Sequence, residues 1–343
     1  MENPPEENAL SLEDLRKLPK IDLHRHLEGC LRVRTIIEIA RQYGITVPVT
    51  AYLRPLVEIQ DDEDHSLRTF LSKFQPLRLF YRTPEIINRI THEAITDAAN
   101  DGLVYLELIF TPAALGRGQG FPLNAVMDWV VASAGKAAHE AGITVRLIAS
   151  VNRHEPVALA EEVVQLAIDR QSSGVCGLDL AGNEAEFPAE PFASLFKYAQ
   201  GRGLHTQIHA GEWAGAESVR FAIETMGAER IGHGIHVMED PVVVALARER
   251  KIPFTVCLTS NIQSGAVGDL ATHPVRKMMK AGLNVTLNTD DPSISQISLS
   301  SEYLLATREL GLSLGALRKM NRAAAAAAFI SPEERRALAI KVQ

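Results

Sequence analysis

The stretch HTQIHAGEWAGAESVRFAIE, residues 205–224, falls into three pieces. Residues 205–211 read as a short strand, Ala210-Gly211 as a tight turn, and the run from Ala216 to Glu224 as a helix. The polar groups are oddly placed. His209 stands at the C-terminal end of the strand, and Glu212 arrives just past the turn.

The same strand-then-helix unit recurs along the chain. Short apolar, β-branched runs lie at residues 20–26, 103–110, 144–151, 175–182, 205–211, 230–234, 253–260 and 284–291. Amphipathic segments such as LNAVMDWVVASAGKAAHEAG and ALAEEVVQLAIDRQ separate most of them. Strands alternating with helices imply parallel pairing, and eight of them is the count that closes a (β/α)8 TIM barrel. A doubly wound open sheet would show the same alternation. Roughly 75 residues separate the first two runs, too many for one βα connection. They are expected to form a helical insertion over residues 44–100 after the first strand. The whole of 1–343 reads as a single barrel domain, with residues 1–10 a loose tail.

Composition narrows the function classes. The 343 residues carry a formal net charge of −7 with the signs mixed, and no Lys/Arg block offers itself to phosphates. A nucleic-acid partner is therefore not expected. No run is long enough for a membrane span, and the acidic start does not read as a signal peptide. Cys30, Cys176 and Cys257 are odd in number and far apart, which suits a reducing cytoplasm. Nothing in the charge pattern chooses between monomer and homodimer.

The chemistry gathers at the strand ends. The first strand ends in His24-Arg25-His26, the fifth in His209, the sixth in His233 and the eighth in Asp290-Asp291. In a parallel barrel these ends share one face, where active sites lie. Residues two apart on a strand point the same way, so His24 and His26 face inward and Arg25 outward. A lone His is usually a surface or satisfied core group, and His65, His92, His139, His154 and His273 are read so. Three His and one Asp at one rim are costly to bury without a partner. Imidazole and carboxylate suit Zn²⁺, with Fe²⁺ or Co²⁺ as alternatives, and a catalytic site keeps a position for water. His24, His26, His209 and Asp290 are therefore read as ligands of one metal ion. Glu212 stands beside that site as a carboxyl group kept protonated, able to act as an acid. As a charge at the start of the following helix it would also be favourable. His233 and Asp291 flank the water from the other side.

Six pieces now stand in order: LPKIDLHRHLEGCLR, LDLAGNE, HAGEWAG, ERIGHGIH, CLTSNIQSGAV and LNTDDPSIS, spanning residues 18 to 295. In these the chain resembles the adenosine deaminase family of the amidohydrolase superfamily. The segment HSLRTFLSKF stands where that family covers its substrate. The resemblance implies a zinc-dependent barrel, with one Zn²⁺ per chain, that hydrolyses the 6-amino group of a purine nucleoside. It implies metal ligation by His24, His26, His209 and Asp290, and catalysis by Glu212, His233 and Asp291. Glu212 would protonate purine N1, His233 would act as base and electrostatic partner of the attacking water, and Asp291 would orient that water or contact N7. It implies substrate contacts from His26, Glu28, Gly182 and Asp291, Glu28 on a ribose hydroxyl and the Gly182 backbone on purine N3.

Related readings are close. Adenine deaminases tend to have IDHG and PLSN where this chain has IGHG (231–234) and LTSN (258–261). Aminodeoxyfutalosine deaminase would suit HAGEWAG and IGHGI. Two-metal hydrolases often carry a bridging Lys at the fourth strand, and LDLAGNE has none. His26-Leu27-Glu28 matches the H-x-E of cytidine-type deaminases, but no P-C-x-x-C follows. A binding-only barrel could dispense with Glu212 and His233, and both are present. The chain departs from the family at Ile109, where Arg is common, and at Cys30.

Overall fold

The computed structural model describes residues 10–343, so the expected tail lies outside it apart from Leu10. Eight strands pair in sequential order, all parallel: β1 (Lys20–His26), β2 (Leu103–Phe110), β3 (Thr144–Asn152), β4 (Val175–Ala181), β5 (His205–Ala210), β6 (Arg230–His233), β7 (Pro253–Val256) and β8 (Asn284–Leu287). β8 and β1 meet through the bridge Arg25–Asp290, with N–H···O bonds of 2.8 Å from His26 to Asp290 and from Asp290 to His24. That contact makes a nearly closed barrel and excludes the open doubly wound sheet.

β7 and β8 stop short of the runs that announced them. After Val256 the chain coils into the helix Leu258–Gln263. After Leu287 the Asn288 side chain takes over the bonding to β1, its Oδ1 accepting from Leu23 N–H at 3.0 Å. Asp290 then adopts a left-handed backbone with φ of 65°.

The segment after β1 is helical, but it divides differently from the expectation. Thr83 caps the helix Pro84–Asn100, with proline at the first turn where its missing N–H costs nothing. Ile87, Ile90, Ala94, Ile95 and Ala98 form its buried stripe, packed on β2 and on the helix Leu123–Ala141. This is the barrel's own helix between β1 and β2, so residues 84–100 belong to the barrel. The excursion proper holds the helices Val33–Tyr43, Thr50–Val57, Leu67–Ser72 and Phe74–Leu77.

Each strand sorts its residues by period two. On β2, Leu106, Leu108 and Phe110 join the large apolar cluster beneath the helices. Ile109 packs with Ile148 and Phe329 in a separate cluster and is fully buried. It supports the barrel from within and is not part of the cavity wall described below. No described helix is long and apolar enough to cross a membrane.

Candidate active site

A cavity of about 340 Å³ opens at the C-terminal ends of the strands. Its floor holds His26, His209, His233, Asp290, Asp291 and Glu212. His24 lies just beneath, fully buried, with its ring centroid 4.6 Å from that of His209 and 4.7 Å from that of His233. One donor atom each from His24, His209, His233 and Asp290 lies within 4.8 Å of all the others, a group able to hold a metal ion. His26 joins the same pole, its Nε2 3.2 Å from His24 Nε2 and 3.3 Å from Asp290 Oδ1.

Hydrogen-bond partners reveal what two of these rings offer. Thr255 Oγ1 donates to Ile231 O, so at 2.8 Å from His24 Nδ1 it accepts that nitrogen's proton. His209 Nδ1 donates to Asp179 Oδ1 at 2.9 Å. Both rings therefore turn a bare Nε2 lone pair toward the pole. The Asp290 carboxylate faces the same point, steadied by Ser260 Oγ donating to Oδ2 at 2.6 Å. Lone pairs aimed at each other in a buried pocket repel unless a cation lies between them. The residues fit a metal ion by that test.

Electrostatics agree. Burial, with the neighbouring His side chains, pushes His26 down to about 4. Burial also opposes the Asp290 and Asp179 charges, yet the surrounding imidazoles hold both below the ordinary carboxylate range. Burial opposes protonation of His209 as well, but the adjacent Asp179 lifts it above its usual value. The pole attracts positive charge.

Glu212 behaves oppositely. Burial, then the Asp290 and Glu184 charges, raises its carboxyl well above the usual range. Its Oε2 has no hydrogen-bond partner within the chain and lies 3.5 Å from His233 Nε2. Asp291 is likewise held protonated by burial and by Asp290, and its Oδ1 is unpartnered. It is seated against Gly29, where an added Cβ would fall 1.9 Å from Oδ1. Adjacent acids pushed in opposite directions are a common mark of divided acid and charge roles.

A carboxylate that sequence reasoning left without a role shapes the turn. Glu184 accepts N–H bonds from Gly211, Glu212, Trp213 and Ala214 at 2.7 to 3.2 Å, and a bond from Ser218 Oγ. It holds HAGEWAG in place, with Gly211 at φ of 66°. Asp179 was missed too; besides His209 it takes Ser150 Oγ at 2.9 Å and Gln207 Nε2 at 3.2 Å. The one available signal was its position, an acid inside the apolar run VCGLDLAG. His154, read as a bland residue, lines the cavity.

Toward the mouth, Glu28 is buried and lifted to about 7 by burial, with Thr111 N–H bonded to its Oε1 at 2.7 Å. Gly182 lines the opposite wall with φ of 100°. Phe70, Leu71 and Phe74, from the two short helices of the excursion, form an apolar cover.

Fold and site together define a barrel hydrolase with a His/Asp pole able to hold a metal. The family model for adenosine deaminase matches residues 19–343. An adenosine deaminase of Serratia proteamaculans is 37% identical over 330 residues, covering 95% of this chain and 98% of its own. Arabidopsis ADAL complexed with IMP superposes with a TM-score of 0.85 at 30% identity, covering 96% of this chain and 97% of its own. A Zn-bound amidohydrolase from Burkholderia ambifaria gives 0.87 at 26%, covering 97% and 92%. The chain belongs to the adenosine deaminase family and is a hydrolytic deaminase.

Proposed function

We propose that this chain hydrolyses adenosine and 2′-deoxyadenosine to inosine, or 2′-deoxyinosine, and ammonia, with one zinc ion held by His24, His26, His209 and Asp290. The observation that carries the reading is the pairing of convergent lone pairs with a protonated, unpartnered Glu212 under a 340 Å³ cavity. A bound metal supplies an activated water at neutral pH.

The chain's own residues do the rest. Glu212 holds a proton at the cavity floor and gives it to purine N1, which relieves charge in the ring as C6 is attacked. Glu184 fixes that acid by holding the backbone on both sides of it. His233 faces the attacking oxygen, and Asp291 orients it or meets N7. The Gly182 backbone contacts N3, and Glu28 takes a ribose hydroxyl. Phe70, Leu71 and Phe74 keep bulk water out, which strengthens every charge interaction inside. The three free cysteines fit a reducing cytoplasm.

A second reading has an observation of its own. Arg78 lines the cavity and has no hydrogen-bond or ion-pair partner among the described residues. A guanidinium at the mouth favours a substrate with an anionic substituent on the ribose side. Ammonia release by zinc-loaded protein decides between them, with adenosine, 2′-deoxyadenosine, adenine, AMP and aminodeoxyfutalosine as substrates. Fast turnover of adenosine is expected. Turnover of AMP alone would transfer the assignment to the nucleotide, and inactivity toward all five would overturn it.

A further inference from the structure

His233 poses a problem that distance does not solve. It belongs to the group of donors within 4.8 Å of one another, while His26 does not. By spacing it is as good a metal ligand as any. The location of its proton decides, because a nitrogen that carries hydrogen has no lone pair for a metal.

That location follows from a backbone amide. Val275 N–H can only donate, and it donates to His273 Nδ1 at 3.2 Å. His273 is buried, and burial pushes it down to about 4, so the ring is neutral. With Nδ1 accepting, its one proton sits on Nε2. Nε2 lies 3.3 Å from Asn261 Oδ1 and donates to it. The Asn261 amide is thereby oriented, and its Nδ2 donates to His233 Nδ1 at 3.0 Å. His233 Nδ1 must accept. The proton of the neutral ring is left on Nε2, which faces Glu212 Oε2 at 3.5 Å and Asp290 Oδ2 at 3.9 Å.

We infer that Asn261 and His273 are positioning residues that hold His233 as its Nε2–H form, making it a hydrogen-bond donor to the attacking oxygen and removing it from the metal's ligands. The contrast with its neighbours is direct. His24 and His209 donate from Nδ1, to Thr255 and Asp179, and present bare Nε2 atoms. His233 is held by a donor and presents a proton. The same relay disfavours a doubly protonated His233, since Nδ1–H would then meet Asn261 Nδ2–H. It also narrows His233 to electrostatic partner, because Nε2 is already protonated when the water arrives. The inference rests on the proposed deamination for the word oxygen, but the tautomer itself does not depend on which purine is bound.

The test is a long-range ¹H–¹⁵N spectrum of zinc-loaded, ¹⁵N-histidine-labelled protein, with His233 signals assigned by their loss in His233→Ala. A bare Nδ1 and a protonated Nε2 are expected. The reverse pattern overturns the inference even if adenosine is turned over. The expected pattern upholds it even if another purine proves to be the substrate. Asn261→Asp replaces the donor by an acceptor and is expected to move the proton to Nδ1. In that variant kcat should fall about tenfold or more, which is 1.4 kcal/mol or more of barrier, with KM little changed and zinc retained. His273→Phe should lower kcat similarly, and His273→Gln, whose amide can still donate to Asn261, should recover most of it. His273 also sits at the start of the helix Val275–Lys280. Equal losses in both His273 variants with the His233 tautomer unchanged would show that it only caps that helix, and would overturn its part in the relay.

Discussion

The two poles of the barrel bury charge in opposite ways. At the N-terminal pole Arg230 and Glu107 are fully buried and paired. Arg230 also donates to Gln207 Oε1 at 2.7 Å and to Ala327 O at 3.1 Å, with its guanidinium 3.8 Å from the Phe329 ring centroid. Glu107 takes Tyr105 OH at 2.8 Å and Phe329 N–H at 2.6 Å. The donors and acceptors named there all have partners, and Phe329 closes the end. At the C-terminal pole, lone pairs face one another, and Glu212 Oε2 and Asp291 Oδ1 have no partner. His233 and Asp290 sit there in left-handed backbone, which non-glycine residues seldom adopt. Desolvation costs are met within the chain at one end and left for metal and substrate at the other. Gln207 links the two, receiving from Arg230 and donating to Asp179.

Removing the acid of the open pole should have the largest effect. Glu212→Gln should lower turnover by about 10²–10⁴-fold, typical of one general acid, while zinc content by metal analysis is unchanged. Near-normal ammonia release would remove Glu212 from the mechanism. At the closed pole Glu107→Ala should leave Arg230 buried and unpaired. A stability loss of about 3–5 kcal/mol in chemical denaturation is expected. A loss under 1 kcal/mol would mean that this pole is no better satisfied than the other.

Glu302 provides an intermediate case, buried but bonded by Thr259 N–H at 3.1 Å and by the Thr259 hydroxyl. Burial outweighs these bonds and raises it from 4.5 to about 7. The folded chain then keeps a proton that the unfolded chain releases. Its contribution is complete below pH 4.5 and is lost as pH rises through about 7, a change of roughly 3 kcal/mol. Glu302→Gln should flatten the stability–pH curve relative to the parent over that window; parallel curves would refute the shift. The smallest effect is expected where the poles join. Asp179→Asn keeps the shape but weakens the hold on His209, and zinc affinity should fall about 10–100-fold in a competitive chelator titration. Unchanged affinity would detach the Gln207–Asp179–His209 link from the metal pole.

Much of this was legible in order along the chain. Strand runs showed through their local apolar pattern, and His24, His26, His209, His233 and Asp290 stood out because polar residues at strand ends are exceptional. The insertion was visible by length, but its boundary was not. Pro84–Asn100 reads as helix in either role, and only packing on β2 shows that it belongs to the barrel. β7 and β8 were drawn too long because Asn288 replaces a backbone ladder with a side-chain bond, which has no periodic signature.

By itself the sequence determined the element types, their alternation and the residue chemistry at the strand ends, since these depend on local periodicity and residue type. Only the tertiary structure decided that the sheet closes, and which groups serve one another. Asp179 meets His209 across 30 positions, Glu184 meets Gly211 across 27, and Asn261 meets His233 across 28. Those pairings exist because parallel register brings the ends of separate strands to one rim. Hydrogen bonds act over about 3 Å of space, so no local pattern in the chain records them.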